Sequence, residues 1–277
     1  MNEATTLVNG VPASDVSVFD RGFQYGDGLF ETIAVYQGSP LLWNRHLTRL
    51  LNGAERLGIT APSPDVLTSE ARRLCVGAQR AVLKIILTRG ASGRGYAAPA
   101  SGATTRVLYV APWPEYPAEF ARSGVSLCVC ETTLSRHPRL AGIKHLNRLE
   151  QVLARAEWRT EFADGIMCDD SGGVIEGTMS NVFVVADGVL RSPVLTSCGV
   201  EGIMRGVVLE AAQQQDLRSR IERLTLPNLD QATEIFITNS LIGVWPVRQL
   251  QKREYSIGPI TRKIQEAVRE AHCFDRE

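Results

Sequence analysis

The chain carries no net charge and no long apolar run, and each absence excludes a class of function. Its 30 lysines and arginines equal its 30 aspartates and glutamates in number. A balanced chain has no general attraction for nucleic acid or for an anionic membrane, so a bound anion must be held by a local cluster. No apolar segment is long enough to cross a bilayer, and the N-terminus lacks a signal peptide's apolar stretch. We therefore expect a cytoplasmic protein with a small-molecule substrate and no nucleic-acid or membrane partner.

Cysteine is also scarce, and its six positions form no metal-binding pattern. There is no Cys-x-x-Cys, and no histidine stands near a cysteine at zinc spacing. This spacing predicts no metal site and favours buried thiols instead. The six positions are Cys75, Cys128, Cys130, Cys168, Cys198 and Cys273.

A proline-rich stretch divides the chain. Three prolines occur between Ala111 and Pro117, and such a segment is stiff, cannot be helical and suits a central strand poorly. A chain of 277 residues has room for two domains, each with its own core. We therefore predict an N-terminal α+β domain over residues 1–112, a linker over 113–120 and a larger C-terminal domain over 121–277.

Local patterns predict mixed helix and strand in both halves. The first half has a hairpin at Thr5–Val11, strands at Leu29–Tyr36, Ala81–Gly90 and Thr105–Ala111, a helix over Asn44–Gly58 with Asn44 as its N-cap, and a helix starting at Ser63-Pro64. The second half has strands at Val125–Thr132 and Ala232–Asn239, hairpins at Ile166–Ile175 and Asn181–Leu190, and helices at Asn147–Trp158, within Cys198–Glu210 and at Ile260–Ala271.

One lysine is placed where its amine could react. Lys144 lies just before a predicted helix, and Leu140, Ile143 and Leu146 surround it in the sequence. An amine among apolar side chains is hard to keep charged, so we expect the pKa of Lys144 to fall below the roughly 10.4 of a free lysine. The plainer interpretation is a solvated lysine whose stem covers part of the core.

Three other features could hold an anion or a heteroaromatic ring. Arg45, Arg49 and Arg56 form a stripe on one helix, which without a nearby phosphate would be an ordinary solvated face. The polar strip Glu176–Asn181 lies between apolar strands, and the helix after Cys198 has glycines at its entrance, where free amides favour an anion.

These features together match the needs of pyridoxal phosphate. The cofactor requires a lysine to bind its aldehyde, a group that sets the protonation of its ring nitrogen, and donors for its phosphate. We assign the first role to Lys144, the second to Glu176, and the third to the set Arg49, Ser180, Asn181, Ile203 and Met204.

Four segments carry a resemblance to a known family. They are Asp20-Arg21 with Tyr25–Phe30, His46–Leu50, Arg89–Tyr96 and Gly142–Gln151. Over nearly the whole chain the sequence resembles the class IV, or fold-type IV, pyridoxal-phosphate enzymes. Within them it looks most like the aminodeoxychorismate lyases, because Gly-Ile-Lys-His-Leu-Asn-Arg-Leu-Glu-Gln and Gly-Arg-Gly-Tyr are long matches.

The resemblance implies residue roles. It supports Lys144, Glu176 and Arg49 in the roles above and adds Thr238 and Asn239 to the phosphate segments. Arg94, Tyr96 and Arg106 fall near the substrate's carboxylates in similar lyases. Phe30 stands where D-amino-acid aminotransferases have a tyrosine, so their hydroxyl contacts are not expected here.

The resemblance also implies a fold and a reaction. The fold is a mixed α+β, two-domain fold-type IV architecture, with a small N-terminal α+β domain, a larger barrel-like C-terminal domain that binds the cofactor, and a homodimer. The reaction is elimination of pyruvate from aminodeoxychorismate to give 4-aminobenzoate for folate synthesis. The alternatives are a class IV aminotransferase acting on branched-chain or D-amino acids, and a module that binds the cofactor without chemistry.

Overall fold

A computed structural model describes residues 6–98 and 102–272 of the chain. The helices are α1 (Arg21–Tyr25), α2 (Trp43–Leu57), α3 (Pro64–Cys75), α4 (Glu119–Ser123), α5 (Leu149–Arg155), α6 (Ile203–Gln214), α7 (Leu226–Asp230) and α8 (Pro259–His272). The strands of the first half are β1 (Thr6–Val8), β2 (Val11–Pro12), β3 (Gly28–Tyr36), β4 (Ser39–Pro40), β5 (Arg80–Thr88) and β6 (Thr105–Pro112). Those of the second half are β7 (Val125–Val129), β8 (Asp164–Cys168), β9 (Gly173–Gly177), β10 (Asn181–Ala186), β11 (Val189–Pro193), β12 (Ser219–Glu222), β13 (Leu224–Thr225), β14 (Glu234–Asn239), β15 (Gly243–Leu250) and β16 (Arg253–Glu254).

The chain forms two compact units. Unit 1 comprises Met1–Pro114 and Ile143–Asn147, and unit 2 comprises Glu115–Gly142 and Arg148–Glu277. The division after Pro114 falls inside the proline-rich stretch and inside the predicted linker. One short segment departs from the predicted domain bounds, because residues 143–147, which include Lys144, group with unit 1.

Unit 1 is built on a six-stranded antiparallel sheet in the order β2-β1-β6-β5-β3-β4. Because cross-strand partners project from the same face, the register sorts the side chains. Leu29, Leu87 and Arg106 share one face with Glu31 and Ile85, while Phe30, Ile86 and Val107 share the other with Thr32, Lys84 and Tyr109. Helices α2 and α3 contact β3 and β6, and Leu50, Ala54 and Leu67 are fully buried.

Unit 2 is built on a mixed ten-stranded sheet. Its strands follow the order β12-β11-β10-β14-β15-β7-β8-β9-β13, with β16 paired to β15. The strands β8, β9 and β10 are buried along nearly their whole length. The sheet and helices confirm a mixed fold, whereas the barrel-like closure stays a prediction.

Most predicted elements are confirmed in type, with errors at their ends. The helix predicted over Asn44–Gly58 is α2, but its N-cap is Leu42, with no side-chain cap, so the cap prediction was wrong. Ser63 does cap α3 through the Val66 amide. The turn predicted at Asp187-Gly188 has positive φ at both residues, as a two-residue hairpin requires. Strand β15 was missed because it contains Pro246.

The thiols largely follow prediction. Cys75, Cys130, Cys168 and Cys198 are buried and unpaired, Cys128 is half-buried, and Cys273 lies outside the described residues. Within residues 6–98 and 102–272, no helix is both long and apolar enough to span a membrane.

Candidate active site

The lysine segment, residues 143–147 around Lys144, pairs with β3 through main-chain hydrogen bonds. The Phe30 amide donates to the Lys144 carbonyl at 3.0 Å, the Leu146 amide donates to the Gly28 carbonyl at 2.9 Å, and Leu29 bridges His145 in antiparallel fashion. These main-chain bonds fix Lys144 against unit 1 although more than a hundred residues separate it from β3. The backbone position of the lysine is therefore set by sheet pairing and not by the helix that follows it.

Close approach of the lysine segment explains a glycine of the Tyr25–Phe30 motif. A side chain at Gly28 would meet the Leu87 carbonyl at 2.5 Å and the Leu146 side chain at 2.8 Å. Only a glycine leaves room for the β5 backbone and the Leu146 side chain at this point. Asn147 adds a further tie, since its side-chain amide donates to the Gly26 carbonyl at 3.1 Å.

The Lys144 amine lies over an aromatic ring. Its Nζ is 4.5 Å from the centre of the Phe30 ring, and the residue is half-buried. Ile143, beside it, is 3% exposed and packs near Gly53 of α2. The apolar surroundings predicted for this lysine are thus present, and the lowered pKa of its amine stays a prediction.

A buried charged cluster lies on the helix-covered face of the same sheet. Glu31 Oε1 accepts from Arg49 Nε at 2.8 Å, and Glu31 Oε2 accepts from Arg49 Nη2 at 2.6 Å and contacts His46 Nδ1 at 2.7 Å. Burial would raise the pKa of Glu31, but the charge of Arg49 and the hydrogen bond from His46 hold it at about 2. Arg49 is thereby oriented by a carboxylate that sequence reasoning missed.

His46 contributes a neutral ring with a buried nitrogen, Nε2, to this cluster. Burial lowers the pKa of His46 despite the opposing effect of Glu31, so the imidazole is neutral at pH 7 and donates to Glu31 through Nδ1. Its other ring nitrogen, Nε2, is buried and has no hydrogen-bond partner among the described residues. The charges of Arg49 and Lys144 both act on this ring. A buried acceptor without a partner suggests that another group normally lies beside it.

The cluster makes a prediction about acid stability. We expect Glu31→Gln to lower the free energy of unfolding by about 3 kcal/mol at pH 7, because it leaves Arg49 with no buried carboxylate. The folded pKa of about 2 lies below the ordinary 4.5, so this stabilisation is complete above pH 4.5 and is lost as the pH falls towards 2. The measurement is urea unfolding of both proteins at pH 7 and at pH 3.

The exposed Glu55 on α2 provides the control, and Glu55→Gln should change stability by a few tenths of a kcal/mol at either pH. A Glu31→Gln deficit of the same size at both pH values would contradict the role given to the carboxylate.

In unit 2, Glu176 is a buried carboxylate held by main chain. It lies on β9, is 4% exposed, and its Oε2 accepts from the Val200 amide at 2.8 Å. Arg148, which sequence reasoning did not single out, is also near it. Burial lowers the pKa of Arg148, and the charges of Glu176 and Glu150 oppose that effect. The positive charge of Arg148 favours the ionised form of Glu176, which is the form a protonated ring nitrogen would need.

The polar side chains predicted for the phosphate site bond within unit 2. The Ser180 hydroxyl donates to Asp164 at 2.6 Å, and the Thr238 hydroxyl donates to the Gly243 carbonyl at 2.6 Å. Asn239 Oδ1 accepts from the Leu241 and Ile242 amides. These contacts shape the surrounding loops, so a phosphate would have to be bound mainly by backbone amides.

The first turn of α6 supplies such amides. Ile203 and Met204 open this helix, and its N-cap Gly202 makes no side-chain hydrogen bond. The first amides of a helix have no acceptor within it. A side chain at Gly202 would collide with Asn181, whose Nδ2 donates to the Val200 carbonyl at 2.9 Å. Asn181 thus positions the entrance of α6, and the anion site there stays a prediction.

The loop that carries Arg94 and Tyr96 is anchored by a buried arginine. Arg21 is 4% exposed and donates to the carbonyls of Gly95 and Tyr96 at 2.9 and 3.1 Å. Its Nε also binds Asp27 at 2.8 Å. Tyr96 itself is 86% exposed. The Asp20-Arg21 motif therefore holds this loop in place while its tip faces outward.

Arg106 lies away from these groups. Its guanidinium binds Glu70 of α3 at 2.7 Å, and the register places it on the sheet face opposite Phe30. The hydrogen bond to Glu70 raises the pKa of Arg106. Its charge is neutralised locally, and the substrate role predicted for it is not supported by this geometry.

Comparison with known proteins places the chain in a family. Residues 28–250 match the model of the amino-transferase class IV family. An aminodeoxychorismate lyase from Vibrio harveyi is 39% identical over 265 residues, which are 93% of this chain and 97% of that protein.

Two solved structures are similar along almost their whole length. The 4-amino-4-deoxychorismate lyase from Pseudomonas aeruginosa has a TM-score of 0.93 and 45% identity, covering 96% of this chain and 98% of its own. The branched-chain amino acid aminotransferase from Escherichia coli has a TM-score of 0.83 and 25% identity, covering 95% of this chain and 92% of its own. With this shared fold and the lysine held against β3, the chain belongs to the class IV aminotransferase family.

Proposed function

We propose that the chain is a pyridoxal-phosphate-dependent lyase that eliminates pyruvate from 4-amino-4-deoxychorismate and releases 4-aminobenzoate, a precursor for folate synthesis. The observation that carries the proposal is the fixed position of Lys144, whose backbone pairs with β3 and whose amine lies 4.5 Å from the Phe30 ring centre. The 45% identity with the Pseudomonas aeruginosa lyase supports the choice of reaction.

The described residues fit the cofactor. Lys144 supplies the amine for its aldehyde, and the buried Glu176 supplies an acceptor for its ring nitrogen. The uncapped first turn of α6 suits its phosphate. Arg49 adds a cation, and His46 Nε2, which has no hydrogen-bond partner among residues 6–98 and 102–272, leaves the cluster around Arg49 with an unmet hydrogen bond.

The chain's own residues account for the proton movements of the reaction. Bound pyridoxal phosphate withdraws electrons from the substrate carbon that carries the amino group and so acidifies its proton. Glu176, as a carboxylate, favours the protonated ring nitrogen that deepens this effect. The neutral amine of Lys144 removes the proton from C4, and the bond between C3 and the enolpyruvyl oxygen breaks as the ring becomes aromatic. Lys144 then holds a proton that it can return to the departing enolpyruvate, which becomes pyruvate.

The exposed loop provides substrate contacts in this proposal. Arg94 offers a guanidinium for a carboxylate, and Tyr96 offers a flat ring that packs beside Tyr25 at 5.4 Å between centroids. Arg21 holds this segment of the loop by donating to the carbonyls of Gly95 and Tyr96. A branched-chain aminotransferase would need an apolar pocket in place of these polar groups.

The test is a steady-state assay on the purified protein with aminodeoxychorismate. We expect release of 4-aminobenzoate and pyruvate in equal amounts, and slow or no transfer of an amino group from leucine or D-alanine to a 2-oxo acid. Arg94→Ala should raise the KM for aminodeoxychorismate about tenfold while leaving the cofactor's visible absorbance unchanged. Rapid transamination with no 4-aminobenzoate would establish the aminotransferase alternative. Bound cofactor without either reaction would establish the binding module.

We also propose that the protein is a homodimer located in the cytoplasm. Phe19, Phe23 and Tyr96 are each more than half exposed, and the segments that carry them are tied together, because the Ser92 amide donates to the Phe19 carbonyl and Arg21 donates to the Tyr96 carbonyl. An apolar patch of this kind is typical of a covered surface. Four buried unpaired thiols suit a reducing compartment. Sedimentation equilibrium should give twice the chain mass of 30.4 kDa, and cell fractionation tests the location.

A further inference from the structure

Lys84 is a second lysine on the face of the sheet that carries Phe30. The register pairs Lys84 of β5 with Thr32 of β3 and with Tyr109 of β6, and it pairs Ile86 with Phe30. Cross-strand partners project to the same side, and so do residues two apart on one strand. Lys84 and Phe30 are therefore diagonal neighbours on one surface, whereas Glu31 and Arg106 project from the other.

The amine of Lys84 reaches the same ring as the amine of Lys144. Lys84 Nζ is 4.7 Å from the Phe30 ring centre, and Lys144 Nζ is 4.5 Å from it. The two nitrogens can be no farther apart than the sum of these distances, which is the span of a small molecule. The chain has only four lysines, Lys84, Lys144, Lys252 and Lys263, and two of them meet at this ring.

Lys84 has only a neutral acceptor in the described part of the chain. Its Nζ donates to Thr32 Oγ1 at 2.8 Å, and no described carboxylate lies within ion-pair distance of it. An ammonium has three donors, and a half-buried cation without an anion is costly. Burial accordingly lowers the pKa of Lys84, with the charge of Glu31 opposing the effect. Glu31 itself is committed to Arg49 and His46 on the opposite face.

We propose that Lys84, supported by Thr32, binds the ring carboxylate of the substrate. The assignment rests on the proposed function, in which the substrate carries its amino group and its ring carboxylate at opposite ends of a six-membered ring. The amino end reacts at Lys144, and the far carboxylate neutralises Lys84, with the Phe30 ring close to both lysines. Lys84 takes the role predicted for Arg106, whose guanidinium is already bound to Glu70.

The experiment compares Lys84→Met, Lys84→Arg and the control Lys252→Met, whose lysine is exposed in unit 2. Steady-state release of 4-aminobenzoate gives KM and kcat, titration calorimetry gives the Kd of the product 4-aminobenzoate, and visible absorbance reports the bound cofactor. Loss of a charge-assisted hydrogen bond should raise both KM and product Kd about 10- to 100-fold in Lys84→Met. We expect kcat to change less than about fivefold, the absorbance to stay as in the wild type, and Lys84→Arg to recover part of the binding.

The outcomes separate this inference from the proposed function. If the wild type releases 4-aminobenzoate but Lys84→Met matches Lys252→Met in KM and product Kd, the assignment of Lys84 is wrong and the function stands. If the wild type releases no 4-aminobenzoate, the proposed function is wrong, and the assignment of the ring carboxylate to Lys84, which rests on it, is wrong as well. If Lys84→Met does not fold by circular dichroism, Lys84→Gln gives the same comparison, since it removes the charge and keeps a polar chain.

Discussion

Lys144→Ala is expected to abolish turnover, by about 1000-fold or more, and to remove the visible absorbance of the bound cofactor. In the proposed mechanism the variant lacks both the amine that would hold the cofactor's aldehyde and the base that would remove the C4 proton. The fold should survive, because Lys144 is tied to β3 through its main-chain carbonyl and not through its side chain. Absorbance spectra after dialysis and the rate of 4-aminobenzoate release measure the two effects.

Borohydride reduction of the wild-type protein supplies the complementary result. With four lysines in the chain, peptide mass spectrometry can assign the reduced cofactor to one of them, and we expect Lys144 alone to carry it. Lys252→Ala serves as the matched control and should keep both colour and activity. A cofactor found on Lys84, which shares the Phe30 ring, would overturn the assignment.

Glu176→Gln is expected to keep the cofactor bound and to slow turnover by about 100-fold or more. The amide retains the shape of the side chain and can still accept from the Val200 amide at the position of Oε2. It carries no charge, however, so it no longer favours a protonated ring nitrogen, and removal of the C4 proton becomes harder. Single-turnover kinetics with aminodeoxychorismate measure the proton-removal step directly.

The control for this prediction is Glu254→Gln, which changes an exposed carboxylate on β16 of the same unit. It should leave the rate within about twofold of the wild type. Unchanged turnover in Glu176→Gln would assign the ring nitrogen to another group. Loss of the cofactor together with the rate would show that Glu176 mainly holds the cofactor in place.

For three basic side chains, the partner or the position in the fold could not be predicted from the sequence. Arg49 was predicted from a helical stripe, but its Glu31 partner is 18 residues away on a strand. Arg106 was chosen for its charge, yet it is bound to Glu70, 36 residues away. Lys84, which alternates with apolar residues on β5, was read only as part of a buried strand. Each outcome depends on which side chain from a distant segment lies opposite, and a linear sequence does not contain that pairing.

The sequence by itself determined the local features and the family. Apolar spacing established α2 and the long strands of unit 1 to within a few residues, Ser63-Pro64 marked the start of α3, and Asp187-Gly188 established a tight turn. The long match around Lys144 identifies the family from the sequence alone, because a motif of that length rarely recurs by chance. These features depend on neighbours in the chain, where backbone preference and periodicity act.

Only the tertiary structure decided how those residues are arranged. It attached residues 143–147 to β3, placed Lys84 and Lys144 at one ring, and turned Arg106 to the opposite face. Strand register makes these choices, since a shift of one residue would exchange the two faces of the sheet. Register is set by the packing of α2 and α3 on one face and by main-chain hydrogen bonds between segments far apart in the chain.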